Sequence, residues 1–159
     1  MKQITSLLLI LLFFNISGCF VSPGSYADGE WYKVWNNPDS VIARMKLIKK
    51  QHPNYDAWQT DQNHNRYNPD GRHGNFYSFY FLLPFQDTTV LIHSVISGVK
   101  NSDEEKCNII INGYTYAKDF RGWRWNESKY KEEQKEVLNT FEKEVLDKLD
   151  MKYKKLWFR

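Results

Sequence analysis

The segment 76–117 limits the folds open to this chain more than any other. Residues 76–83 (FYSFYFLL) and 88–99 (TTVLIHSVISGV) are runs of aromatic and β-branched side chains, which suit a pleated, half-buried surface. Pro84 to Asp87 reads as a turn between them, and the charged stretch 102–106 reads as a loop. Cys107 then heads another apolar run. Within it, Asn112-Gly113 favours a type I′ hairpin turn between 107–111 and 114–117; one long strand with a bulge at Gly113 is the other reading. Strands joined by such short connections pair antiparallel. Either reading gives a meander of three to five strands.

Helical patterns flank this segment. Before it, Asn37 is a good N-cap, Pro38 suits the first helical position and Asp39 suits the positive end of the dipole. Val41, Ile42, Met45 and Ile48 recur at helical spacing, and Pro53 stops the run, so a helix is predicted over 38–51. After it, Asn126 or Ser128 can cap a long final helix. Its apolar stripe is Tyr130, Val137, Leu138, Phe141, Val145 and Leu149, with Glu144 and Lys148 paired on the polar side. The order helix, strands, helix predicts an α+β fold: an antiparallel β-meander of three to five strands with an N-terminal helix and a long C-terminal helix packed on one face. The sheet's other face is then solvated or a binding surface. Aromatic residues make up 16% of the chain, so one domain over 31–159 can build a dense core.

The polar stretch before the strands carries Asn68-Pro69-Asp70-Gly71, a strong turn signal. It also invites a metal reading. Asp61, Asn63 and Asn65 match the first three ligand positions of a calcium loop. Arg66 and Arg72 then stand where such a loop demands glycine and a bidentate acid, which excludes it. His64 and His73 lack any zinc-binding spacing, so no metal and no cofactor is expected. His93 lies inside the second strand run, sharing a face with Leu91 and Val95 by alternation. A hydrogen-bonded, half-buried histidine is the expectation there. No nucleophile motif surrounds the serines.

The N-terminus speaks to location. Lys2 precedes an unbroken apolar run of eight residues, 7–14. A spanning helix takes roughly 20, so the run reads as the core of a secretory signal. Ile16-Ser17-Gly18-Cys19 follows and resembles the lipobox of bacterial lipoproteins. The resemblance covers only the first nineteen residues or so. It implies cleavage between Gly18 and Cys19, removal of 1–18, and lipidation of Cys19; residues 19–30, with their Ser, Pro, Gly and Asp, then read as a tether. Phe20 stands where an aspartate would favour retention in the inner membrane, so the resemblance implies the periplasmic face of the outer membrane. With Cys19 acylated, no intramolecular disulfide is available, and Cys107 reads as a small core hydrophobe.

A formal charge of +3, without a block of basic residues in the middle of the chain, argues against nucleic acid. Trp123 and Trp125 alternate beside Arg121 and Arg124. With Trp58 they form the candidate binding surface, since Trp and Arg concentrate at hot spots; a lid on the core between the sheet and the last helix is the other reading. The expectation is therefore a lipid-anchored, non-catalytic binding module with a protein or cell-wall partner in the envelope. The alternatives are a small hydrolase using His64, His73 or His93, or a structural lipoprotein of envelope assembly.

Overall fold

The structure, a computed structural model, describes residues 29–60, 66–98, 105–117, 124 and 130–156. Gly18 and Cys19, most of the tether, His64, Arg121, Trp123, Trp125 and both predicted caps of the last helix lie outside the described residues. The elements in chain order are β1 (Glu30–Val34), α1 (Pro38–Gln51), β2 (Gln59–Thr60), β3 (Arg66–Tyr67), β4 (Gly71–His73), β5 (Phe76–Phe85), β6 (Thr88–Ser97), β7 (Cys107–Tyr116), α2 (Lys131–Phe141) and β8 (Tyr153–Leu156).

The first helix forms as its caps dictate: the Asn37 side chain accepts the Ser40 amide at 2.8 Å. The strands make an antiparallel sheet, so the fold is α+β, but the meander of three to five strands is too small. Among the described residues the sheet has six strands in the order β4-β5-β6-β7-β1-β8, with β2 and β3 as a separate ribbon. The excess comes from β1 and β8. Both are short and lie far apart in sequence, yet Tyr32 pairs with Ile109 on one side and Lys155 on the other. Such non-local pairing leaves no local turn signal.

Two turns also move. Of the two readings at Asn112-Gly113 the hairpin does not form; β7 is one long strand with a bulge opposite His93 and Ser94, at Asn112 and not Gly113. Pairing with β6 on both sides of the bulge, Ile111 with Ser94 and Gly113 with His93, holds β7 extended, since a reversal there would break the second half of that ladder. The β4–β5 reversal sits at Gly74-Asn75, where Gly74 takes φ of 60°, and not at Asn68 to Gly71. Pro84 belongs to β5. It is tolerated there because β4 reaches only Phe76 to Ser78, leaving the far end of that edge without a ladder to supply.

The long C-terminal helix is likewise not one regular helix. After α2 the chain continues as a π-helical turn, Glu142–Leu146, then a 3-10 turn, Asp147–Leu149, ending at Asp150 in the left-handed region. Val137, Leu138, Phe141, Val145, Leu146 and Leu149 all stay buried through this change of pitch. They join Val41, Met45 and Ile48 of α1 and Tyr32, Phe79, Phe81, Ile92 and Ile109 of the sheet in one core. On the sheet's opposite face, Ser78, Leu91, His93, Val95, Ile110 and Thr115 are buried too, so of the two readings of that face, solvated or binding surface, its centre is not solvated. Among the described residues no helix is long and apolar enough to cross a membrane.

Beyond β4, the outer edge of β5 is completed by side chains. The Asp70 carboxylate accepts the Tyr80 amide at 2.8 Å, and the Lys49 ammonium donates to the Tyr80 carbonyl at 3.0 Å. Lys49 pairs directly with Asp70 and lies 3.2 Å from Asp56, with its side chain 5% exposed. One ion pair thus satisfies both backbone groups that a longer β4 would have satisfied. Lys49→Met should leave Asp70 buried without its cation and cost about 3 kcal/mol in urea unfolding. Asp70→Asn, which keeps an acceptor for the Tyr80 amide, should cost less.

Candidate functional site

A groove of about 580 Å3 lies between α2 and the paired strands β1 and β8. Its helical wall is Lys131, Gln134, Lys135, Leu138, Asn139 and Glu142. Spacings of three and four residues put all six on one stripe of α2 and its continuation. Glu30 from β1 and Lys155 from β8 supply the opposite wall. Below it lies a closed polar network. Tyr32, fully buried, donates its hydroxyl to Glu142 at 2.7 Å. Lys155 stands 3.2 Å from Glu30 and 3.8 Å from Glu142, and 5.7 Å above the Tyr32 ring. Burial, then the Glu142 bond and charge, push the Tyr32 phenol far above its ordinary value, so it stays a donor.

Lys155 is therefore balanced by two acids. Lys131 and Lys135 are exposed and form no ion pair with any described residue. The groove presents a positive rim one helical turn long, the buried edge of Leu138 and two amides. Its two carboxylates, Glu30 and Glu142, both face Lys155.

The same helical run is held by three more tyrosines. Tyr114 donates to Glu133 at 2.9 Å, Tyr55 to Glu144 at 2.6 Å and Tyr153 to Asp147 at 2.7 Å. Lys148, four residues after Glu144, bonds that carboxylate at 2.7 Å. The Lys148 bond and then the Tyr55 bond hold Glu144 below the usual carboxylate range.

Of the residues singled out from the sequence, Trp58 follows the turn after α1 and is 49% exposed, which suits a contact residue. Arg124 sits elsewhere. Its amide and carbonyl bond Tyr114, its guanidinium meets Glu133 at 3.1 Å, and it stacks over Tyr116 and Tyr130. It fastens the end of β7 to α2. The groove residues carry no short-range motif; only the apolar and charged stripes of α2 hinted at one wall.

His73 is exposed on β4. His93 shares a face with Leu91 and Val95 as alternation requires, and its ring stacks on Tyr80 at 4.4 Å between centroids. Its Nε2 lies 3.4 Å from Ser78 Oγ and its Nδ1 lies 3.2 Å from the Asn112 amide nitrogen. Asn112 reaches it from the β7 bulge. The spacing resembles nucleophile, base and orienting group, but the polarity opposes it. An amide nitrogen facing Nδ1 makes that atom the acceptor and leaves the ring proton on Nε2, aimed at Ser78. Burial, then the charge of His73, lower the His93 pKa to about 4, a weak base at neutral pH. Among the described residues no cluster of three or more His, Cys, Asp or Glu is placed to hold a metal.

His93 titrates near 6.5 when unfolded and about 4 when folded. Between those values the unfolded chain takes the proton first. The stability this contributes is full above pH 6.5 and is lost as pH falls toward 4, by about 3 kcal/mol in all. Urea unfolding of His93→Gln should show a flatter profile between pH 6.5 and 5 than the parent. Comparison with protein-family models, with curated proteins and with solved structures finds no match for this chain.

Proposed function

We propose that this protein is a lipid-anchored binding module of the bacterial envelope, tethered through Cys19 to the periplasmic face of the outer membrane, and that it is not an enzyme. The groove between α2 and β1–β8 carries the reading. It is a concave surface with a buried, satisfied floor and two lysines on its rim that form no ion pair with any described residue. Its partner is a protein segment that lays an acidic side chain against Lys131 and Lys135 and an apolar one on Leu138. Exposed charge of this kind steers encounter and selects partners more than it adds affinity. Helices packed against one face of the sheet form the scaffold that holds the wall in place.

One observation favours a second reading. Ser78, His93 and Asn112 stand in the order of a hydrolytic triad at 3.4 and 3.2 Å. Labelling of Ser78 by a serine-reactive phosphonate, abolished in His93→Gln, would establish that alternative.

Chemical cross-linking in intact envelopes followed by purification should recover a defined partner. Lys131→Glu/Lys135→Glu should lower its yield by roughly tenfold, as expected for reversing a steering charge. Recovery unchanged by the double substitution, or no partner at all, would remove the groove from the reading. Independently, Cys19→Ala should abolish lipidation and normal processing. If that variant still fractionates with membranes as a cleaved, acylated protein, the anchor is wrong.

A further inference from the structure

The strand pair β1–β8 shows the groove one face and a different surface on the other. On the far face Trp31 stands directly opposite Leu156, and Lys33 directly opposite Lys154. Side chains so placed are about 5 Å apart at Cβ, and like charges there destabilise the pair. Lys154 is exposed and Lys33 half-buried. No acid among the described residues lies within ion-pair distance of either, whereas Lys155, on the groove face, has both Glu30 and Glu142. The next residue across the sheet from Lys33 is Asn108, again uncharged.

A lysine on an edge strand is a common guard against strand-to-strand aggregation. That accounts for Lys154 on β8. It does not account for Lys33, because β1 is an interior strand with β7 and β8 on its two sides. A two-by-two block of one indole, one leucine and two unbalanced ammonium groups is the arrangement that meets a lipid–water interface: apolar bodies at the headgroup level, cations on phosphate. The chain enters this block directly. Ten residues separate Cys19 from Glu30, the first residue of β1. Fully extended, that length spans at most about 40 Å, so an anchored Cys19 keeps β1 close to the bilayer.

We propose that the Trp31, Lys33, Lys154 and Leu156 face is a docking surface for anionic lipid headgroups, which lays the domain on the membrane with its groove turned away. The inference rests on the anchor reading for its proximity argument, and its test separates the two. The natively processed protein is mixed with vesicles of phosphatidylcholine alone and of phosphatidylcholine with phosphatidylglycerol, and partitioning is measured by flotation at low and raised salt. A lipid on Cys19 contributes equally to both compositions. The lysine pair contributes only to the anionic one, on the order of 30-fold for two cations at the surface, and salt should erase that preference.

Lys33→Gln/Lys154→Gln should bring the two compositions to near parity, with a slightly higher Tm from the relieved repulsion. Lys50→Gln/Lys143→Gln, equal in charge but placed on α1 and the π-helical turn, should keep the preference. A preference that survives the first pair, or falls equally with the second, overturns the proposal. So does the absence of any anionic preference, the result expected if the lysines serve an acidic protein instead. Loss of binding to phosphatidylcholine with the anionic preference intact would count against the anchor and leave the lysine face standing.

Discussion

The pairing of Lys49 with Asp70 lets a three-residue strand finish a ten-residue one. β5 runs the full height of the sheet, but β4 matches only Phe76 to Ser78 of it. Just beyond, the exposed polar groups of Tyr80 would face a half-built edge. Lys49 arrives from the last turn of α1 and Asp70 from the residue before β4, and together they close it. The same contact fixes where α1 ends over the sheet and where the polar segment between β3 and β4 must return. Asp56 joins both Lys49 and, through an isolated bridge, Phe81, so the chain after α1 covers the next step of that edge. Helix, loop and sheet edge are set by one cation with two acids.

The C-terminal helical run is placed by a related device used several times over. Tyr32, Tyr55 and Tyr114 bury their rings in or beside the core and carry only a hydroxyl to a carboxylate on the run. Each ring contributes apolar burial while its tip supplies direction, which aliphatic packing lacks. The π-helical turn lies where Glu142 and Glu144 both meet tyrosines. A regular helix separates neighbours two apart by about 200°; the wider turn changes that angle, and both acids find partners while Val145 and Leu146 stay in the core. The groove wall is thus set by bonds beneath it and not by its own rim residues, which leaves Lys131 and Lys135 available to a partner.

What the sequence disclosed follows from the range of the forces involved. α1 was legible to the residue, because Asn37, Pro38 and Pro53 act within one turn. β5 and β6 were legible as strands from their composition. The turn chemistry of Asn112-Gly113 was real but was overruled by the β6 ladder, which continues on both sides of it. EWYKV and YKKL carry too little pattern alone to be read firmly as strands, and they pair only against each other and, for β1, against β7. The groove depends on Glu30 meeting Glu142 and Lys155, which follow it by 112 positions or more, and no spacing rule connects them. His93 was the reverse case: alternation along β6 made its face and its burial readable, although its partners Ser78, Tyr80 and Asn112 all come from the neighbouring strands.

The position of β1 has a mechanical side. It is the first strand among the described residues, and it lies between β7 and β8, registered to both along most of its length. A pull on the preceding chain acts along β1, across the direction of its hydrogen bonds, and loads both ladders together. Peeling one bond at a time, the easy route for an edge strand, is closed to it. A domain tied at this point yields to tension only when two rows of bonds give way at once, so resistance to pulling is set by β1 and not by the stability of the domain as a whole.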